Sequence, residues 1–242
     1  MKYLVPLRVW LTAALFVLPA ALLVIALPGQ ARRRRAAHRA GQITFWLAGI
    51  PLRVKGLECL PEDACILAAS HASYLDGPIL TAAMPPRFGF VIKHEMSSAP
   101  LVGWLLTRLG SEFVQRSDKK AAGNAASRII QKARNGACLG VFPEGTFVRE
   151  PGLRSFHLGA FLTATRVGLP VVPVVIRGSR QILPAHCWWP RAGALEVEVL
   201  PAVSPQGRRG DDARELRRQV REEILKACGE PDAAIAETEA AA

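Results

Sequence analysis

The chain has 242 residues, half of them apolar and 21 % charged, so it is long enough to bury one sizeable core beside an appended segment. Its formal net charge of +11 would suit a nucleic-acid partner, but the charge is concentrated near the N terminus. Residues 1–55 contain nine Lys or Arg and no acidic residue, whereas the other 187 residues carry 22 bases against 20 acids. The near-neutral remainder argues against nucleic-acid binding. The five scattered cysteines indicate neither a disulfide scaffold nor a metal site.

An apolar run occupies residues 9–27, where the only polar side chain is Thr12 and no residue is charged. As a helix rising about 1.5 Å per residue, the run covers roughly the hydrocarbon thickness of a bilayer. Pro19 lies inside the run and permits a kink or a shallow hairpin. The pattern therefore fits either a spanning helix or one embedded in a single leaflet.

Basic residues follow the apolar run directly. Arg32 to Arg35 form a continuous block, and seven Lys or Arg occur in residues 31–55 against two before the run. The positive-inside rule therefore predicts that everything after the run lies in the cytoplasm, with the arginines attracting anionic lipid headgroups. A cleaved signal peptide is the alternative, although export would have to carry the arginine block across the membrane.

A second apolar patch at residues 43–52 is too short to span a bilayer, so it is expected to lie in the membrane interface or to return into one leaflet. Residues 1–55 are therefore predicted to form a membrane-anchoring segment with a basic cytoplasmic flank. A folded domain is expected at 56–229. Residues 230–242, which are polar and rich in alanine, are expected to form a flexible tail.

Beyond residue 56, short apolar runs alternate with longer mixed segments, a pattern typical of βα units. Strands are expected at residues 65–69, 88–93, 112–115, 137–142 and 171–176, and helices at about 76–83, 99–109, 118–134, 156–167 and 212–227. Segment 195–199 alternates apolar and acidic residues, which predicts a half-exposed edge strand, and Pro173 predicts an edge or bulge position. The sequence therefore predicts an α/β fold with a mostly parallel central sheet flanked by helices, preceded by a membrane helix or helical hairpin.

The stretch SHASYLDG, at residues 70–77, follows the first of these strands and places His71 five residues before Asp76. Open α/β folds usually bind their ligands at this end of the strands. A carboxylate at that spacing can fold back onto the imidazole, fix its tautomer and stabilise the imidazolium, which makes the histidine a general base. An isolated H-x4-D pattern also arises by chance, so it has weight only beside other motifs.

Ser70 and Ser73 flank this histidine and raise the alternative of a hydrolase with a Ser-His-Asp triad. No G-x-S-x-G elbow occurs in the chain, and neither serine comes from a separate segment that could face the imidazole. We therefore expect direct attack by a substrate rather than a covalent serine intermediate.

Two further stretches follow predicted strands. GSEFVQR ends in Arg116, which is suited to hold a phosphate bidentately or to remain a solvated loop charge. VFPEGTFVRE carries Glu144, Gly145 and Thr146 in a loop, where the glycine lets backbone amides approach a ligand and the carboxylate can accept hydrogen bonds from hydroxyls. Each stretch alone is an ordinary loop or turn.

Taken together and in this order, these motifs resemble those of the glycerolipid acyltransferase family, specifically the 1-acylglycerol-3-phosphate acyltransferases. His71 and Asp76 match the family's H-x4-D block. The other matches are Gly110, Phe113 and Arg116 to a block of glycine, apolar stretch and arginine, residues 142–146 to F-P-E-G-T, and residues 171–176 to an apolar strand with a central proline. The resemblance covers residues 56–182, and the pairing of H-x4-D with F-P-E-G-T is specific.

The resemblance implies that residues 56–229 form an acyltransferase domain. This domain would move a fatty acyl group from acyl-CoA or acyl carrier protein to the sn-2 hydroxyl of 1-acylglycerol-3-phosphate, giving phosphatidic acid for phospholipid biosynthesis. His71 and Asp76 would be catalytic, and the substrate would be bound by Arg116, Glu144, Gly145, Thr146, Lys93 and Arg149. No metal or redox cofactor is needed. The expected partners are the phospholipid bilayer, a lysophospholipid acceptor and the acyl donor, with the domain on the cytoplasmic side of the inner membrane.

The loop departs from the family pattern at one point. Family members often continue F-P-E-G-T with arginine and serine, whereas this chain has Phe147 and Val148, and its next arginine is Arg149. Either Arg149 takes over that role or the acceptor pocket differs. Three other acceptors therefore stay open, namely glycerol 3-phosphate, another lysophospholipid and a lyso-aminolipid. A non-catalytic lipid-binding protein is a further alternative.

Overall fold

The centre of the protein is a mostly parallel β-sheet. The computed structural model describes residues 4–115, 118–207 and 210–234, and the sheet within them has seven strands. In chain order they are β1 (Leu52–Lys55), β2 (Ile66–Ala69), β3 (Phe88–Lys93), β4 (Glu112–Val114), β5 (Cys138–Val141), β6 (Val171–Arg177) and β7 (Leu195–Val199). Their order across the sheet is β1-β7-β6-β2-β5-β3-β4. The strands from β6 to β4 all pair in parallel, which confirms the predicted α/β fold.

Helices cover both faces of this sheet. Those in the described ranges are α1 (Leu4–Thr12), α2 (Leu18–Ala26), α3 (Gln30–Ala48), α4 (Asp76–Ala83), α5 (Val102–Arg108), α6 (Lys119–Arg134), α7 (Gly159–Val167), α8 (Ser179–Ile182) and α9 (Gly210–Cys228). Successive strand residues point to opposite faces, so Leu67 packs with the α3 and α4 side chains while its neighbour Ile66 packs with α7 and α9. The result is one apolar core on each face.

The predicted elements agree with these bounds to within about three residues at each end. Asp118 caps α6, because its side chain accepts hydrogen bonds from the backbone amides of Lys120 and Ala121 at 2.8 and 3.1 Å. In α9 one face is buried at Leu216, Val220 and Ile224. Hydrophobic periodicity was sufficient for α6 and α9 because each buries one face, whereas β2, β5 and β6 are continuous apolar runs buried on both faces.

The expectation of an edge position for β7 is wrong. β7 lies between β6 and β1, and it pairs in parallel with β1 from Leu52–Leu195 onward. Strand β1 was not predicted, because only three residues separate the second apolar patch from Gly56. The edge of the sheet is therefore β1, whose alternate residues are exposed.

The strand that contains Pro173 is also an interior strand, between β2 and β7. Its pairing is irregular at the proline. Val171 bridges to Val203, whereas Val174 pairs with Val199, so three steps along β6 correspond to four along its neighbour. Proline lacks the N–H that a regular ladder would use there, and the extra residue forms a bulge. Of the two positions predicted for Pro173, the edge is wrong and the bulge is confirmed.

The N terminus forms a helical hairpin. α1, a π-helical turn at Ala13–Val17 and α2 make one apolar helix, Leu4–Ala26, and α3 returns beside it after a short loop. Pro19 is the second residue of α2, and the π-helical turn just before α2 accommodates the missing N–H without ending the helix. By length and composition alone, this is the single helix in the described residues that could cross a membrane.

Part of the second apolar patch belongs to the core, whereas Ile43 and Trp46 are 43 and 75 % exposed, so its place at a membrane interface stays a prediction. Phe45, Ala48 and Ile50 are buried with the side chains of α4, and β1 follows at once. Residues 43–55 are therefore part of the folded domain, and the predicted boundary at residue 56 does not separate two structural units.

Two of the four arginines in the block, Arg33 and Arg34, bond to backbone carbonyls of the protein. Arg34 donates to the carbonyl oxygens of Arg87 and Leu109 at 2.8 and 2.9 Å, and Arg33 also bonds to backbone carbonyls. The other two arginines of the block are exposed. The predicted attraction of lipid headgroups therefore applies only to that exposed pair.

The predicted flexible tail does not begin at residue 230. Residues 228–234, the C-terminal strap, run beside the loop that follows β5. Asp232 accepts hydrogen bonds from the guanidinium of Arg221, and its neighbour Pro231 accepts one from the backbone amide of Leu153 at 2.8 Å. Residues 235–242 lie outside the described residues.

Candidate active site

The candidate site lies at the carboxyl ends of β2 and β5, which are neighbours at the middle of the sheet. β2 ends at Ala69, and the hydroxyl of Ser70 then accepts a hydrogen bond from the backbone amide of Ile176 in β6 at 3.0 Å. This bond ties the start of the H-x4-D loop to the adjacent strand. His71 is the first residue beyond that tie.

The imidazole of His71 is hydrogen-bonded to Asp76, as its spacing predicts. His71 Nδ1 lies 2.8 Å from Asp76 Oδ2. Because a carboxylate only accepts, Nδ1 carries the proton and Nε2 keeps its lone pair. The pair therefore presents a base whose protonated form would be stabilised by a carboxylate behind it.

Asp76 is held in a single position by backbone donors. Its side chain is fully buried at the start of α4, and Oδ2 also accepts hydrogen bonds from the amides of Ala72 and Ser73 at 2.6 and 2.8 Å. The free amides of a helix N terminus favour a negative charge at this place. The other oxygen, Oδ1, has no hydrogen-bond partner in the described structure. These contacts hold the Asp76 side chain in place beside the imidazole.

Aromatic rings set the plane of the imidazole. Phe142 stacks on His71 with ring centroids 4.1 Å apart and planes 19° apart, and Phe147 meets it edge-on at 4.5 Å. Tyr74 contacts Phe147 at 4.8 Å and stacks with Trp188 at 5.8 Å. Tyr74 and Trp188 are largely exposed, so an aromatic surface continues from the imidazole to solvent. The sequence motifs gave no signal for these ring contacts.

Glu144 joins the two loops of the site. Its Oε1 accepts a hydrogen bond from the backbone amide of His71 at 2.7 Å, and its Oε2 accepts one from the amide of Arg154 at 2.9 Å. The residue is only 4 % exposed. Glu144 therefore fixes the backbone of the histidine, and its contact with glycerol hydroxyls stays a prediction.

A cavity of about 20 Å³ opens beside the pair, which is room for one water molecule. Its lining includes His71 and Glu144 together with Glu230 of the C-terminal strap. A second, mainly apolar cavity of about 40 Å³ lies between α3, α4, β3 and α5 and shares no lining residue with the first. The chemistry of the site therefore belongs to the smaller cavity.

The other predicted binding residues are distributed around the same edge of the sheet. Gly145 adopts a left-handed conformation with φ of 74°, which glycine tolerates best, and Thr146 and Arg149 are exposed in the same loop. Lys93 ends β3, where its ammonium lies 3.7 Å from the carboxylate of Glu95. Arg116 lies outside the described residues.

The two serines do not face the imidazole. Ser70 bonds to β6, and Ser73 donates its hydroxyl proton to the carbonyl of Leu183 at 2.7 Å. Neither hydroxyl has His71 as a hydrogen-bond partner, and Nδ1 of that ring is already bonded to Asp76. The arrangement argues against a serine hydrolase triad.

We expect Glu144 to make the stability of the fold depend on pH. Burial raises the pKa of its carboxyl group from 4.5 to about 7, although the two amide hydrogen bonds act in the opposite direction. The folded protein therefore binds this proton more tightly than the unfolded chain does. The contribution of Glu144 to the free energy of unfolding should be largest below about pH 4.5 and should fall by about 3 kcal/mol as the pH rises through 7.

The control for this prediction is Glu144→Gln, which has no titratable proton. Chemical denaturation of both proteins in the same detergent, at several pH values from 4.5 to 8, gives the difference in their free energies of unfolding. The wild type should lose about 3 kcal/mol of unfolding free energy relative to Glu144→Gln between pH 4.5 and pH 8. A difference that stays constant with pH would contradict the prediction.

Comparisons with known proteins identify relatives of this chain. A family model described as Acyltransferase matches residues 51–177. A 1-acyl-sn-glycerol-3-phosphate acyltransferase from Pseudomonas aeruginosa is 30 % identical over 204 residues, which cover 82 % of this chain and 76 % of the relative. A lysophosphatidylcholine acyltransferase 1 from Homo sapiens is 31 % identical over 234 residues, which cover 84 % of this chain and 42 % of the relative.

A solved structure shows the same fold. The crystal structure of the 1-acyl-sn-glycerophosphate acyltransferase from Thermotoga maritima superposes with a TM-score of 0.76, at 24 % identity and with 93 % of each chain covered. The segment matched by the family model is more than half of the chain and contains β1 to β6, with His71, Asp76 and Glu144. The chain therefore belongs to the acyltransferase family and is an O-acyltransferase.

Proposed function

We propose that the enzyme transfers a fatty acyl group from acyl-CoA or acyl carrier protein to the sn-2 hydroxyl of 1-acylglycerol-3-phosphate, giving phosphatidic acid. The observation that carries the proposal is the 2.8 Å contact between His71 Nδ1 and the buried carboxylate of Asp76 at the carboxyl end of the sheet. The Pseudomonas and human relatives are both named for lysophospholipid acceptors, which supports an acceptor of this class.

His71 acts as the general base. Its Nε2 removes the proton from the acceptor hydroxyl as that oxygen attacks the carbonyl carbon of the thioester. The new C–O bond forms, the C–S bond breaks, and the imidazolium returns its proton to the departing thiolate. Asp76 stabilises the imidazolium between these steps. Because a thiolate is already a good leaving group, the protein contributes mainly by positioning two substrates, and no metal or redox cofactor is required.

Cations along the carboxyl edge of the sheet bind the acceptor phosphate. Lys93 ends β3 at the carboxyl edge of the sheet, and Arg116, which lies outside the described residues, comes two positions after β4 in the sequence. Arg149 lies in the loop after β5 and is exposed. Gly145 and Thr146 approach the glycerol from the same loop. The position that often holds arginine in the family is occupied by Phe147, whose ring touches His71.

Phe147 favours a second candidate acceptor, lysophosphatidylcholine. The exposed surface formed by Tyr74, Phe147 and Trp188 begins at the imidazole. Aromatic faces attract quaternary ammonium groups through their negative electrostatic potential. The human relative is named for that acceptor. The choice between phosphate and choline headgroups therefore depends on whether the cations or the rings dominate binding.

An acceptor panel tests the proposal. Purified enzyme in liposomes receives labelled acyl-CoA and either 1-acylglycerol-3-phosphate, lysophosphatidylcholine, a lyso-aminolipid or glycerol 3-phosphate. We expect the highest kcat/KM with 1-acylglycerol-3-phosphate. A higher value with any other acceptor would reassign the substrate, and no transfer to any of them would favour a non-catalytic lipid-binding role.

We also propose that the N-terminal helix holds the enzyme on the cytoplasmic face of the inner membrane without crossing it. Both ends of the helix are tied to the rest of the protein: Arg8 Nε donates to the Leu47 carbonyl at 2.6 Å, and Arg108 Nε donates to the Ile25 carbonyl at 3.0 Å. A helix tied at both ends lies alongside the domain. Its exposed side chains are large and apolar, which suits one leaflet of a bilayer.

Removing residues 1–27 should release the enzyme from membranes. The deletion keeps α3, whose Phe45 and Ala48 belong to the core, so the domain should still fold. Sedimentation with liposomes, together with circular dichroism of the supernatant protein, measures the outcome. If the folded, truncated protein still sediments entirely with liposomes, the helix is not the main anchor.

A further inference from the structure

The C-terminal strap reaches the cavity beside His71. It runs parallel to the loop after β5, where Leu153 bridges to Asp232. The amide of Leu153 donates to the Pro231 carbonyl at 2.8 Å, and the amide of Ala233 donates to the Leu153 carbonyl at 3.1 Å. The strap is therefore attached to the same loop that carries Glu144.

Glu230 makes the central contact of this attachment. Its carboxylate accepts two hydrogen bonds from the guanidinium of Arg180, at 2.8 and 2.7 Å, and one from the backbone amide of Gly152 at 2.7 Å. The side chains of Arg180 and Glu230 are only 11 and 24 % exposed. A bidentate pair with so little exposure fixes direction as well as distance.

Arg180 holds the other part of the loop. Its Nη1 donates to the carbonyl oxygens of Val148 and Glu150 at 2.6 and 2.8 Å. The guanidinium of Arg180 and the carboxylate of Glu230 therefore bind the loop at residues 148, 150 and 152. These residues separate the E-G-T turn from Arg154, whose amide bonds to Glu144.

Hydrogen bonds of two backbone amides connect this loop to the catalytic histidine. Arg154 donates its amide to one oxygen of Glu144, and the other oxygen accepts the amide of His71. Glu230 and His71 also line the same cavity. Moving the strap would therefore displace Glu144, and Glu144 would displace the backbone that presents the imidazole.

We propose that Glu230 and Arg180 form a positioning pair for acyl transfer, which sets the place of His71 without touching either substrate. The inference rests on the proposed role of His71 as the base. Small displacements of a catalytic group cost large factors in rate, on the order of 100-fold for about 1 Å. Substrate affinity should change much less, because the side chains of Arg180 and Glu230 are already bonded to each other and to the loop.

The experiment compares Glu230→Gln with Glu223→Gln in full-length enzyme. In the first variant the introduced glutamine keeps the size and one accepting oxygen but loses the charge that holds Arg180. Glu223 is half exposed and pairs with Lys226 on the surface of α9, so it is a matched control. We expect Glu230→Gln to lower kcat by about 10- to 100-fold with KM for both substrates within about twofold, and Glu223→Gln to match the wild type.

Asp232→Asn distinguishes the positioning of His71 from the general stability of the strap. It weakens the ion pair with Arg221 but leaves Glu230, Arg180 and Gly152 in place. Its melting temperature should fall at least as far as that of Glu230→Gln, while its kcat should fall less. Equal losses of kcat in the two variants would overturn the proposal, because strap stability alone would then explain both.

A backbone variant covers the case in which Glu230→Gln does not fold. Gly152 has φ of 142°, and a Cβ added there would lie 2.7 Å from the Cβ of Ala233. Gly152→Ala should therefore push the strap from the loop with the ion pair chemically intact, and it should lower kcat at unchanged KM. Wild-type kcat in whichever variant folds would overturn the inference. If His71→Ala is fully active, the proposed function fails first, and a rate loss in Glu230→Gln would then have another cause.

Discussion

Replacing His71 with alanine should lower kcat by about 10³-fold or more, with the fold retained. The imidazole is the one group at the described site that is both hydrogen-bonded to a buried carboxylate and left with a free lone pair. Without it, the acceptor hydroxyl has no base to remove its proton during attack on the thioester. Initial rates with labelled acyl-CoA and 1-acylglycerol-3-phosphate in liposomes measure the loss.

A second histidine supplies the control for that measurement. His38 lies on α3, where its Nδ1 is 3.1 Å from the carbonyl oxygen of Thr81, and it belongs to neither cavity. His38→Gln keeps a donor for that carbonyl and should transfer acyl groups at the wild-type rate. Full activity of His71→Ala, with circular dichroism like the wild type, would exclude general base catalysis by this residue.

Asp76→Asn should lower kcat by about 10²- to 10³-fold, with little change in KM. The variant removes the negative charge that stabilises the imidazolium. It also creates a hydrogen-bonding conflict, because Oδ2 accepts from His71 and from two backbone amides, while Oδ1 has no partner in the described structure. If the amide oxygen takes the place of Oδ2, the new NH2 group is buried without an acceptor, at a cost of roughly 1–3 kcal/mol.

The prediction for Asp76 has two readouts. The kinetic one is kcat, and the structural one is a lower melting temperature, which follows from the unpaired amide. Asp118→Asn is the matched control, since asparagine caps a helix about as well as aspartate and this residue is exposed at the start of α6. A kcat for Asp76→Asn within a few-fold of the wild type would show that the carboxylate charge does not assist His71.

Local pattern was enough to predict the parallel strands and the His71–Asp76 pair. The strands are continuous apolar runs with turn residues at their ends, and the pair lies within five positions of one loop. No long-range information is needed for either feature. The same holds for Asp118, whose capping depends on the next three residues.

The features that sequence reasoning missed all depend on contacts between distant residues. Glu230 lies in an alanine-rich segment that resembles a tail, and its partner Arg180 is 50 positions away. The stacking of Phe142 on His71 follows from the pairing of β2 with β5, which no local pattern specifies. β1 is four residues long, and its place beside β7 is set by the closing of the sheet.

That pairing has a consequence for how the enzyme is made. β1 forms its only strand pairing in the described sheet with β7, and Leu52 is 143 positions before its partner Leu195. During synthesis the N-terminal hairpin and β1 leave the ribosome long before β7 has been translated. β1 therefore has no partner strand until the rest of the sheet has been made. The apolar helix has that whole interval in which to reach a lipid surface. With the proposed membrane role, the nascent chain would therefore bind the bilayer before its sheet is complete.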